Sequence, residues 1–177
     1  MKLLVLDRDG VINHDSDAYI KSPEEWRPIP GSLEAIARLS QSGYRIAVAT
    51  NQAGVARGLF DLSMLGRIHS KMQAAVSDAG GHIDAIFFCP HAPDAGCDCR
   101  KPKPGLLLEI FSRFGVKSEQ TYMVGDSLRD LEAAHAAGCR PVLVKTGNGQ
   151  KAFENGSLPT GTLVHDSLAS FAAELAP

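Results

Sequence analysis

Two carboxylates, Asp7 and Asp9, stand two positions apart in Asp7-Arg8-Asp9-Gly10, directly behind the apolar run Leu3 to Leu6. An extended chain sends alternate side chains the same way, so one carboxylate could attack while the other moves a proton. A solvated turn is the plainer alternative, since Asp and Gly are common turn formers. Three more groups have a similar setting. Ala49-Thr50-Asn51-Gln52 places a hydroxyl and then backbone N–H groups that could face an anion, unless Thr50 only caps a turn. Arg100-Lys101-Pro102-Lys103-Pro104-Gly105 holds a lysine at a corner stiffened by prolines, where it is either a fixed cation or a solvated one. Val124-Gly125-Asp126-Ser127-Leu128-Arg129-Asp130 offers carboxylates suited to a hard cation, with helix capping by Asp126 or Ser127 as the competing role.

Cys89-Pro90-His91 and Cys97-Asp98-Cys99 bring three thiols and an imidazole together as two arms. That donor set suits tetrahedral Zn²⁺, and four protein ligands would leave no open position, so the site would be structural. Free thiols beside an unrelated histidine are the alternative. Arg100 and Lys101 follow Cys99 directly, so a metal held there would also fix the lysine corner. Cys139 stands apart and reads as an inert buried residue.

The elements that must position these groups are legible in the pattern. Apolar, branched runs at Leu3 to Leu6, Ile46 to Ala49, Ile83 to Phe88, Tyr122 to Val124 and Val142 to Val144 predict buried strands. Helical periodicity starts at Ser32 and stops at Gly43, and recurs over Asp61 to Ala79, Pro104 to Phe114 and Ser127 to Ala137. The stretch 147–161 reads as loop, and a short last helix is expected near Ser167 to Leu175. This alternation predicts an α/β fold: a doubly wound, mainly parallel, Rossmann-like sheet with helices on both faces. Such sheets bind ligands beyond the carboxyl ends of their strands, where all four polar groups are expected to converge.

In order and spacing, Asp7-x-Asp9, Thr50, Lys101 and Gly125-Asp126-x-x-x-Asp130 resemble the four motifs of the haloacid dehalogenase superfamily, over essentially the whole chain. The resemblance implies a Mg²⁺-dependent phosphatase with Asp7 as nucleophile, Asp9 as general acid and base, and Thr50 and Lys101 clamping the phosphoryl group. Mg²⁺ would be held by Asp7, the Asp9 backbone carbonyl and Asp126, with Asp130 orienting that shell. Many members carry an inserted cap domain, but neither 10–50 nor 51–100 has room for one. The cysteine loop joined to Arg100-Lys101-Pro102 narrows the resemblance to a subgroup acting on a heptose 1,7-bisphosphate or on histidinol phosphate. Thr50 to Gly58 resembles the heptose branch, which commonly has Ser where this chain has Ala53. By that likeness Asp15, Tyr19, Asn51, Gln52, Ala53, Arg100 and Ser127 contact substrate. Asp15, Asp17 and Tyr19 could otherwise be turn residues, and Arg100 a surface ion pair. Removal of the C7 phosphate, feeding bacterial heptose glycans, is the leading expectation, with histidinol phosphate as the alternative. A phosphoacceptor signalling domain is an alternative of another class, although such domains carry the phosphoacceptor on a later strand.

Size and charge set the remaining bounds. The 177 residues fit one domain, and a net charge of −2 with 21% charged residues gives no reason to expect a nucleic-acid partner. Asp7 interrupts the N-terminal apolar run before a leader or membrane span could be completed, so a cytoplasmic protein is expected. The surfaces carry no oligomer signal, and a monomer acting on a small sugar bisphosphate is the expectation.

Overall fold

The structure, a computed structural model, describes residues 1–177. Six strands form one sheet: β1 (Lys2–Leu6), β2 (Tyr44–Asn51), β3 (Ala85–Cys89), β4 (Tyr122–Gly125), β5 (Arg140–Val144) and β6 (Leu163–His165). Their order is β3-β2-β1-β4-β5-β6, and every neighbouring pair is parallel. The order turns back at β1, which pairs with β2 on one side and β4 on the other. This is the switch point at which a doubly wound sheet opens a crevice at its carboxyl edge.

The strands connect through α1 (Ser32–Gln41), α2 (Leu62–Asp78), α3 (Gly105–Phe114), α4 (Leu128–Ala137) and α5 (Gly149–Asn155), and α6 (Leu168–Leu175) follows β6. Alternation along β1 explains why both faces are covered. Leu4 and Leu6 join the larger core with Ile36 and Leu39 of α1, Ile68, Met72 and Val76 of α2, and Phe171 of α6. Leu3 and Val5 face the other way, onto Leu106, Leu107 and Ile110 of α3 and Ala133 and Ala134 of α4. Each fully buried Leu or Ile contributes roughly 1.5–3 kcal/mol, so these two clusters hold the strand ends in fixed relation. Neither connection flanking β2 contains an inserted domain: one holds a 3₁₀ turn at Pro23–Glu25 and α1, the other α2. No helix is long and apolar enough to cross a membrane.

Three elements differ from the sequence reading. The stretch 147–161, read as loop, contains α5. Gly149 opens that helix where a Cβ would collide with the Val144 carbonyl, so the glycine that weakens helix propensity is the residue the close approach requires. A sixth strand, β6, pairs with β5 at the edge over only three residues, too short for a recognisable pattern. The third strand begins at Ala85 instead of Ile83: Asp84 accepts the Ile46 N–H and pairs with Arg45, while Ile83 packs into the larger core.

Candidate active site

The loop after β1 and the end of β4 are pressed together. Gly10 has φ +83°, in the left-handed region, and a Cβ there would strike the Asp126 carboxylate. Gly125 likewise leaves room for the Asp130 side chain. Consequently Asp7, Asp126 and Asp130 bring carboxylate oxygens within 4.8 Å of one another. Lys101, 2% exposed, reaches in from the other side of the sheet's opening. Its Nζ lies 3.0 Å from Asp7 and 2.7 Å from Asp130, and donates to the Ala49 carbonyl at 2.7 Å. Burial opposes the ammonium charge, but Asp130 and Asp7 outweigh it and hold the lysine pKa above its usual value.

Asp130 is fully engaged. One oxygen meets Lys101, and the other accepts from the Ser127 hydroxyl at 2.9 Å and from the backbone N–H groups of Ser127 and Asp126 at the start of α4. Asp126 is served less well, by a single donor, the Asn148 N–H at 2.9 Å. Burial, then Asp130, pushes the Asp126 carboxyl up to about 7, and burial with Asp130 also raises Asp7 well above the usual range. The pocket is therefore short of positive charge between Asp7 and Asp126. A hard divalent cation fits that deficit, whereas Asp130 has no free oxygen to give it.

Around this centre lies a cleft of about 320 Å³. Asp9 lines it, and so do Asp15, Tyr19, Asn51, Gln52, Ala53, Arg100 and Ser127, the residues expected to contact substrate. Thr50 is different: it is buried, and its hydroxyl accepts from Gln52 Nε2 at 2.9 Å. Gln52 Nε2 also lies 3.1 Å from Asp9, so it joins the end of β2 to the second carboxylate of β1. Asn51 makes a reciprocal pair with the backbone of Lys101, donating at 3.0 Å and accepting at 3.1 Å. Arg100 keeps a buried Nη1 with no hydrogen-bond partner. Tyr19 adopts φ +66° and lies under the Arg57 guanidinium, 5.6 Å from its ring centroid. Arg57, Arg129 and Asn148 are cleft residues that the sequence reading passed over. Asn148 had a usable signal, since it follows the carboxyl end of the fifth strand in the chain.

The cysteine loop closes on itself. Cys89 Sγ is 2.9 Å from Cys99 Sγ and 3.7 Å from Cys97 Sγ, while His91 Nδ1 is 3.4 Å from Cys89 and 3.2 Å from Cys99. Burial and the neighbouring thiols of Cys89 and Cys97 push Cys99 up to about 12. Four donors converging in this way can hold a metal ion.

Residues 98–171 match the HAD-hydrolase-like family model. The chain is 57% identical, over 99% of its length and 98% of the relative's, to D-glycero-beta-D-manno-heptose-1,7-bisphosphate 7-phosphatase of Bordetella bronchiseptica. It is 56% identical to the Pseudomonas aeruginosa enzyme of that name, over 98% and 97% of the two chains. The crystal structure of the B. bronchiseptica D,D-heptose 1,7-bisphosphate phosphatase with magnesium and phosphate superposes with a TM-score of 0.97, at 56% identity and covering 99% and 98%. The corresponding enzyme from Burkholderia thailandensis gives 0.80 at 49% identity, again covering 99% and 98%. Sequence and fold thus agree, and the chain belongs to the family of the heptose-1,7-bisphosphate 7-phosphatases, phosphatases of the haloacid dehalogenase superfamily.

Proposed function

We propose that this phosphatase removes the C7 phosphate of D-glycero-β-D-manno-heptose 1,7-bisphosphate through an aspartyl-phosphate on Asp7. The observation that carries the reading is the buried Lys101, held on Asp7 and Asp130 beside the cation-deficient Asp126 at the switch point of the sheet. The names of the relatives supply the substrate class. Arg100 supports a bisphosphate in particular, because a buried guanidinium N–H without a protein acceptor, on the wall of the cleft, suits a second anion.

In this reading Asp7, Asp126 and the Asp9 carbonyl would hold Mg²⁺, which when bound offsets the repulsion between the Asp7 carboxylate and the phosphate. Asp7 attacks phosphorus, and Asp9 delivers a proton to the departing sugar oxygen. Asp9 then takes a proton from the water that cleaves the acyl-phosphate. Lys101 meets charge on the phosphoryl oxygens while staying oriented by Asp130. The Thr50 hydroxyl accepts from Gln52 and keeps its own hydrogen to donate, so it would clamp the phosphoryl group together with Lys101.

We infer that the cysteine loop holds Zn²⁺. Zinc–sulfur bonds of about 2.3 Å in a tetrahedron put sulfurs about 3.8 Å apart; Cys89 and Cys97 stand at 3.7 Å, and Cys99, 2.9 Å from Cys89, would move outward to reach that spacing. All 177 residues act as one catalytic domain in this proposal, since a single sheet carries both core clusters. The deciding experiment is steady-state turnover with Mg²⁺ of heptose 1,7-bisphosphate against histidinol phosphate. A kcat/KM for the bisphosphate below that for histidinol phosphate would overturn the substrate assignment.

A further inference from the structure

Arg8 lies between the two aspartates at the end of β1, yet its side chain is fully buried and does not line the cleft. A buried guanidinium has no water to bond, so its N–H groups need protein acceptors. Nε lies 3.0 Å from Asp9 Oδ1, and Nη2 is 3.2 Å from Oδ2 and 2.9 Å from Oδ1. Nη1 is 3.1 Å from Nε2 of His69, on α2. Arginine can only donate, so His69 accepts there as a neutral ring with its proton on Nδ1. The surroundings agree: burial, then the Arg8 charge, pushes His69 down to about 4. The face of α2 that carries His69 is otherwise apolar, with Leu65, Ile68 and Met72 buried beside it, and the ring packs against Phe88 at 6.3 Å. His69 makes no contact with the cleft, and the chemistry described so far does not use it.

Asp9 therefore receives Arg8 Nε, Arg8 Nη2, Asn13 Nδ2 and Gln52 Nε2. With donors on both oxygens, the carboxylate is fixed in orientation at the wall of the cleft it lines. We propose that His69, acting through Arg8, is a positioning residue that holds Asp9 as the base of the second half-reaction. This rests on the role given to Asp9 above. In that step the water oxygen attacks phosphorus and its proton passes to Asp9. The bond from phosphorus to the Asp7 oxygen breaks, its electron pair returns to the Asp7 carboxylate, and inorganic phosphate leaves. Without an acceptor at position 69, Nη1 is left buried and unpaired, the guanidinium shifts, and the fork on Asp9 loosens.

The test compares His69→Leu with His69→Gln, whose amide oxygen can replace the ring acceptor. Radiolabelled p-nitrophenyl phosphate is turned over with Mg²⁺, the reaction is quenched in acid, and protein-bound acyl-phosphate is counted. His69→Leu should raise the phosphorylated fraction about tenfold. It should lower kcat for aryl and sugar phosphates alike and leave KM in place, and His69→Gln should restore both readings. An unchanged phosphorylated fraction, or a loss confined to sugar phosphates, would overturn the proposal. Nitrogen NMR of the wild-type imidazole is independent of whether the leucine variant folds: a proton found on Nε2 of His69 would also overturn it. Asp9→Asn runs in the same assay. Full dephosphorylation by that variant would remove the reading of Asp9 itself, whereas an impaired Asp9→Asn beside an indifferent His69→Leu would remove only the inference about His69.

Discussion

Replacing Asp126 by Asn should stabilise the metal-free protein, by an amount that grows with pH. In an unfolded chain an aspartate titrates at about 3.9, whereas burial and Asp130 push Asp126 up to about 7 in the folded protein. Below pH about 4 the carboxyl is protonated in both states and contributes nothing. As pH rises to about 7 the unfolded chain loses this proton and the folded one keeps it, so stability falls. Above that the penalty is constant. About three pKa units correspond to about 4 kcal/mol, and water admitted to the opened cleft brings the expected effect to about 2–4 kcal/mol. Asparagine is neutral, similar in shape, and can still accept from the Asn148 N–H. The wild-type curve also contains His69, lowered to about 4 by burial and Arg8, which adds stability as pH rises through the range where Asp126 removes it. Subtracting the two proteins cancels that contribution. The assay is urea denaturation of both proteins after chelator treatment, from pH 5 to pH 8, repeated with Mg²⁺. Mg²⁺ should stabilise the wild type most at high pH and Asp126→Asn hardly at all. A mutant-minus-wild-type difference that stays flat or shrinks with pH would refute the charge deficit assigned to this pocket.

Asp7→Asn should abolish turnover and leave the circular dichroism spectrum unchanged, because the amide is nearly isosteric but a poor nucleophile; turnover above background would exclude the covalent route. Cys97→Ser should lose the bound metal, read by elemental analysis, and the melting temperature should fall by about 10 °C, the scale of about 3 kcal/mol in a chain of this length. Zinc-free protein purified without chelator would count against the metal site. Arg100→Ala should cost about 2 kcal/mol, some thirtyfold, in kcat/KM for a 1,7-bisphosphate while leaving a monophosphate nearly unaffected. Equal losses on both would remove the second-anion argument.

The sequence was most informative where a short pattern forces one conformation. Val124-Gly125-Asp126 offered carboxylates at a strand end, and the glycine among them is what admits the Asp130 side chain. The cysteine arms were legible because ligand type and spacing survive any loop shape, and the four donors do converge. Thr50 was less transparent. A hydroxyl at a strand end has two directions open to it, and here it turns to Gln52. Arg8 was hidden for a related reason. Lying between two aspartates, it invites the guess of a solvated arginine, and only the packing of α2 across the strand end shows that its partner comes from sixty-one residues away. The helix α5 escaped because its first residue is a glycine, chosen by contact with Val144 and not by helix preference.

The four polar groups that the sequence offers as separate strand ends are one hydrogen-bonded assembly in the structure. Lys101 binds Asp7, Asp130 and the Ala49 carbonyl, while its own backbone is held by Asn51. Gln52 bonds Asp9 and Thr50 through its side chain, and its N–H donates to the carbonyl of Cys89 at the start of the metal loop. Cys99, at the other end of that loop, is two residues from Lys101. Both ends of the loop are thus tied to the end of β2, and an ion gripping its four donors would fix the reach of the lysine without touching a phosphate. The same connectivity means that the charges do not act singly. Removing Lys101 would leave the half-buried Asp7 and the buried Asp130 as close carboxylates with no cation between them, so its loss combined with that of either partner is expected to be far from additive.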